Sequence, residues 1–156
     1  MLMLIIVLAV IWGHSCMPPD MSGKESSWVM NIIRPVLGAL IGDDNVTMLL
    51  VRKLGHFTEY LILGIVIFIN VSVRQDECCI SSRKHTDAGR LRMRLFCMSV
   101  LFAFPAAFLD ETIQIFSGRG PAIADVWIDL AGAAAGAGIA CLIHMVRRRS
   151  GQIQGG

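Results

Sequence analysis

The sequence predicts an all-α integral membrane protein with four transmembrane helices and a short interfacial or re-entrant helix between the first and second. Three observations carry this reading. Of the 156 residues, 54% are hydrophobic, and the mean hydropathy is +0.62, above the apolar share of an ordinary soluble domain. The apolar residues come in blocks, with the charges gathered between them. Within the blocks, residues 61–73 and 131–146 lack the polar face that a helix in water would need. The chain is read as a single domain over residues 1–156.

The first block covers residues 1–17, and its continuous apolar run ends at Trp12. Crossing a bilayer takes about 20 residues, so the run spans only when extended through Met17. A cleaved signal peptide competes with an uncleaved span, because Gly13 and Ser15 are small residues of the kind a cleavage site uses. Residues 18–52 are mixed in character. They hold a Pro18-Pro19 turn, the Asp43-Asp44 pair, and a moderately apolar stretch over 28–41 interrupted by Arg34-Pro35. That stretch is too short to span and is read as interfacial or re-entrant.

Residues 54–73 are the clearest span. A basic loop follows over 74–94, carrying Arg74, Arg83, Lys84, Arg90, Arg92 and Arg94. The third span, 95–116, contains Pro105, which lacks a backbone N–H and is expected to kink it. After a turn through Arg119, Gly120 and Pro121, the last span covers 126–146 and runs into Arg147-Arg148-Arg149. Basic residues in short loops favour the cytoplasm. The 74–94 loop and the C-terminal arginines therefore place both termini on the cytoplasmic side of the membrane, with residues 18–52 and 117–125 outside.

Five cysteines make no simple disulfide framework. Cys97 and Cys141 fall in apolar spans and read as unpaired. Cys78 and Cys79, just beyond a span, are alternatively acylation sites. The net charge of +2 gives no reason to expect a nucleic-acid partner.

Ionisable groups inside spans are costly and usually face the bundle interior for function. Three groups stand out. Arg52, Lys53, His56, Glu59 and Tyr60 share an arc of roughly 120° at the start of the second span. Asp110, Glu111 and Gln114 share another near the end of the third span. Asp125 and Asp129 lie one turn apart at the start of the fourth. All three groups sit at helix ends assigned to the outside, so with Arg119 they fall at one depth and predict one composite site. Gly132 and Gly136 lie on the face of Asp125 and Asp129 as a small-xxx-small pair. Such pairs let helices approach closely, and this one also suggests a homo-oligomer through that face. The competing structural reading has Arg52 or Lys53 paired with Asp110 or Glu111, and His56 with Glu59, merely clamping helices together.

Three stretches resemble the VanZ-like family of small bacterial membrane proteins. They are Arg52-Lys53-Leu54-Gly55-His56-Phe57-Thr58-Glu59-Tyr60, then Asp110-Glu111-Thr112-Ile113-Gln114, and Arg119-Gly120 followed by Asp125-Val126-Trp127-Ile128-Asp129-Leu130-Ala131-Gly132. The resemblance implies binding residues Lys53, His56, Glu59, Asp110, Glu111, Gln114, Arg119, Asp125 and Asp129, with Asp129 standing where many relatives carry Asn. The family takes its name from a protein associated with resistance to the glycopeptide teicoplanin, and its biochemical activity is not established.

Three functions are open at this level. In a binding module, Arg52, Lys53 and Arg119 would contact the phosphate of an envelope lipid or a lipid-linked precursor. In an enzyme acting on the same headgroup, His56 or Glu59 would be general base, and one of Asp110 and Glu111, held protonated by its like-charged neighbour and burial, would be the acid. A divalent metal on His56 and carboxylates is compatible with the enzyme, although no specific motif calls for a cofactor. In a transporter, the acids would relay protons, but polar groups confined to one depth leave the other half of the bilayer without a relay.

Overall fold

A computed structural model describes residues 1–82, 88–117 and 123–153. It contains five α-helices and one short 3-10 turn, and no strand among the described residues. In chain order they are α1 (Leu2–Ser15), α2 (Pro19–Ile41), the 3-10 turn (Asp43–Asn45), α3 (Met48–Ser82), α4 (Ala88–Phe116) and α5 (Ile123–Ile153).

Three segments are long and apolar enough to cross a membrane: Met48–Arg74, Gly89–Phe116 and Ile123–Arg147. A fourth span arises if α1 and α2, bent by 110° at their junction, count together. The chain is thus an all-helical, multi-pass membrane protein. With 14 residues, α1 is about 21 Å long and α3, with 35 residues, about 52 Å, against a hydrocarbon core of about 30 Å. So α1 alone falls short of a full span, while α3 projects well beyond one.

The structure departs from two sequence expectations. The helix after the first block starts at Pro19 and continues through Arg34 and Pro35 to Ile41, where the sequence suggested a turn and then a short helix over 28–41. Proline at the first helical position forfeits an N–H that has no partner there anyway, so Pro19 starts the helix. The segment 74–94, expected to be a loop, is mostly the end of α3 and the start of α4, which leaves residues 83–87 between them. The side chains of Cys78 and Cys79 lie outside the described residues. Cys97 and Cys141 are unpaired, as is Cys16.

Local chemistry fixes the element ends. Gly42, at φ 87°, ends α2 in a conformation that disfavours side chains. Asn45 Nδ2 donates to the Ile41 carbonyl at 2.6 Å. Thr47 Oγ1 then accepts from the Leu50 amide at 3.2 Å and caps α3. The helix α4 runs on through Pro105.

The most extensive helix pairing is α3 on α5. A Cβ added at Gly136 would collide with the Leu61 carbonyl oxygen, one at Gly132 with that of Phe57, and one at Gly64 with that of Ala133. Bare backbone therefore meets bare backbone, which is how helices associate in a solvent that offers no hydrophobic drive. The face of Gly132 and Gly136, expected as a contact face, is filled within the chain by α3. On α4 the buried side chains include Ala103, Ala106 and Ala107, facing Tyr60, Leu63 and Ile67 of α3 and Ile11 of α1.

Antiparallel packing sets where the polar residues go. The Met1 amino group donates to Asn70 Oδ1 at 2.9 Å, and His14 meets Glu59 at 2.7 Å, so α1 runs antiparallel along α3. The C-terminal ends of α1 and α4 therefore gather with the N-terminal ends of α3 and α5. Arg74, Arg90, Arg92, Arg94 and Arg147 lie toward the opposite ends of their helices.

Candidate functional site

At the shared polar end, three helices each send one chemically distinctive side chain to a common point. His56 from α3 places Nδ1 3.5 Å from Asp110 Oδ2 on α4 and 3.8 Å from Asp129 Oδ1 on α5. Asp110 and Asp129 are both 0% exposed, and His56 is buried. These separations exceed a hydrogen bond, which for N–H···O peaks near 2.9–3.0 Å.

Asp110 is held from two other directions. Ser15 Oγ donates to its Oδ1 at 2.5 Å, and Gln114 Nε2, one turn on, donates to Oδ2 at 3.2 Å. Gln114 is buried too, and its Oε1 accepts from Arg52 Nη2 at 2.8 Å. A chain of contacts thus links α1, α3 and α4 through one carboxylate. Asp129 has no such support: neither oxygen has a hydrogen-bond partner among the described residues. The Tyr60 hydroxyl is likewise without one, and Tyr60 lies within electrostatic range of Asp110, Asp129, Glu59 and Glu111.

Around this centre sit charge pairs. Lys53 Nζ meets Asp125 Oδ1 at 3.0 Å, joining α3 to α5. His14 lies between two carboxylates, Nδ1 2.7 Å from Glu59 and Nε2 2.9 Å from Glu25 of α2. Two acceptors on the two ring nitrogens are satisfied together only when the imidazole carries both protons. Glu111 is buried beside the cluster. Arg119 lies outside the described residues.

A small cleft of about 80 Å³ opens into this region between α2 and α3. It is lined by His14, Ser22, Glu25, Ser26, Arg52 and His56, with Val29, Val51 and Gly55. A larger groove of about 400 Å³ runs between α1, α3 and α4 from Trp12 and Leu109 toward Asn70 and Arg74, lined mostly by apolar side chains such as Leu4, Leu8, Leu63 and Phe102.

The geometry can be set beside known proteins. Residues 1–144 match the profile of the VanZ/LLP1 family. The chain belongs to that family. No curated protein and no solved structure matches it.

The VanZ/LLP1 match takes in α1 and α2, beyond the stretch from Arg52 that carried the resemblance. Those helices supply the residues that sequence reasoning missed. Ser15 contacts Asp110, His14 contacts Glu59, and Glu25 of α2 reaches the cluster through His14, yet residues 1–17 offered only a span or a cleavage site. The available signal was polar: His14 and Ser15 follow Trp12 where an apolar run ends. The expected clamp also uses other partners. Arg52 holds Gln114, Lys53 holds Asp125, and Glu59 holds His14 rather than His56. Of the nine candidate residues, His56, Asp110 and Asp129 converge, Gln114 buttresses Asp110, and Lys53, Glu59 and Asp125 form the surrounding pairs.

Proposed function

We propose that this VanZ-like membrane protein binds the polar headgroup of an envelope lipid or a lipid-linked precursor at the extracytoplasmic end of its bundle. The observation that carries the reading is Arg52. Its guanidinium spends Nη2 on Gln114 and lines the cleft beside His14 and His56, and its Nε has no hydrogen-bond partner among the described residues. A guanidinium fork with donors to spare suits a phosphate oxygen pair. The neighbouring carboxylates suit hydroxyl or amine groups on the same headgroup. The apolar groove between α1, α3 and α4 matches an acyl chain in character. The arginines toward the opposite helix ends favour both termini in the cytoplasm, and the resemblance to small bacterial membrane proteins favours the bacterial cytoplasmic membrane. Holding such a lipid in the outer leaflet is a route by which the protein lowers glycopeptide access to its envelope target.

Mass spectrometry of lipids retained by the purified protein tests this. Arg52→Gln is expected to abolish retention of anionic lipid. Retention equal to the wild type removes the headgroup reading.

A second reading is favoured by the convergence of His56 with Asp110 and Asp129, since an imidazole among buried carboxylates is a general-base arrangement. Here the headgroup is transformed as well as bound. Turnover of labelled envelope lipid by wild type, lost in His56→Ala, is the expected result, and a wild type without turnover discards it.

A further inference from the structure

Burying a carboxylate is costly unless it is paired or holds a metal. Asp110 and Asp129 are fully buried at one point and share a single imidazole. The nearby basic side chains make contacts with other groups: Arg52 with Gln114, Lys53 with Asp125, and His14 with Glu25 and Glu59. The ligating atoms of His56, Asp110 and Asp129 lie within 4.8 Å of one another. At 3.5 Å and 3.8 Å, the His56 contacts are too long for hydrogen bonds. A tetrahedral ion with ligands about 2.0–2.1 Å away sets those ligands about 3.3 Å apart. The two His56 separations lie close to that spacing, and an inward movement of the carboxylates would complete it.

We propose that His56, Asp110 and Asp129 bind one divalent transition-metal ion, with α3, α4 and α5 each giving a ligand. Two independent observations support a ligand here beyond the acidic pair. An imidazole nitrogen is among the converging atoms, and both oxygens of the fully buried Asp129 lack a hydrogen-bond partner among the described residues. The Ser15 and Gln114 donors to Asp110 orient that carboxylate from outside, as outer partners of metal ligands do. One nitrogen with carboxylate oxygens suits Zn²⁺ or Mn²⁺ better than Mg²⁺, which keeps most of its water. The ion would offset the carboxylate charge and tie three helices at one depth. The inference goes with the binding reading of the headgroup, because a His56 lone pair given to a metal is not available to a general base.

The test uses the untagged full chain in detergent, stripped with chelator and titrated with Zn²⁺ or Mn²⁺, with Mg²⁺ for comparison. One ion per chain is expected, with a metal-dependent rise in the thermal unfolding midpoint. Asp129→Asn, which preserves shape, is expected to weaken binding by roughly 100-fold or more, beyond a change in outer partners, and to abolish the midpoint rise. Asp20→Asn, an exposed carboxylate on α2, is expected to bind as wild type. Wild type that takes up neither ion, or Asp129→Asn with unchanged affinity, overturns the site. Lipid content is read in the same samples. Lipid retained without metal sinks the metal site alone, and metal retained without lipid sinks the headgroup reading alone.

Discussion

Tyr60 is fully buried, and its hydroxyl has no hydrogen-bond partner among the described residues. An unpaired buried hydroxyl costs about 1–3 kcal/mol on mutational scales, which phenylalanine would recover. Tyr60→Phe is therefore expected to leave the thermal unfolding midpoint unchanged or raise it, while lowering lipid retention if the hydroxyl serves the site. A falling midpoint would show that the hydroxyl has a structural partner. Ser15 behaves oppositely, because its hydroxyl donates to the buried Asp110. Ser15→Ala withdraws that donor and is expected to cost about 1–3 kcal/mol, measured as a lower midpoint in detergent. The two hydroxyls differ by one hydroxyl-to-hydrogen change each, so their opposite signs isolate the effect of having a partner.

Helix packing rests on α3 against α5, where Gly136 faces the Leu61 carbonyl and has no room for a Cβ, whereas Gly55 meets nothing within 4 Å. In the helix interior alanine is favoured over glycine by about 1 kcal/mol, so Gly55→Ala is expected to be neutral or stabilising. Gly136→Ala must part the two helices and is expected to cost about 1–3 kcal/mol as overpacking does, read from unfolding in mixed detergent; equal midpoints for the two variants would remove this packing. The glycine face, the spans and the three polar groups were legible because each repeats along a helix: apolar blocks give spans, and His56, Asp110 and Asp129 sit on arcs that point inward. The contribution of α1 was not legible, because His14 and Ser15 are single polar residues with no period to assign them a face. Helix ends were misread for a related reason. Arg74, Arg90, Arg92 and Arg94 leave the apolar blocks but not the helix, since arginine is a good helix former in water as well.

At the scale of the whole molecule, the open variable is how α2 lies. Trp28, Ile32, Val36 and Leu40, at four-residue spacing, are all exposed and so form one apolar stripe on its surface. Its exposed polar residues include Lys24, Glu25, Asn31 and Arg34. A helix of this kind, meeting α1 at 110°, is suited to lie in the membrane interface with its stripe sunk about 5–10 Å, roofing the cleft beside His14 and Arg52. In that arrangement both ends of α2 face the outside and the end of α5 faces the cytoplasm. Single cysteines at Asp20→Cys, Asp44→Cys and Arg147→Cys, in a chain otherwise free of cysteine, separate the alternatives. A membrane-impermeant maleimide is expected to label the first two in intact cells and the third only after permeabilisation. Labelling of Asp44→Cys from outside with Asp20→Cys reachable only from inside would mean that α2 crosses the bilayer. Glu25 and His14 would then be drawn to different depths, and the contact between them, 2.9 Å here, is one the molecule could not keep.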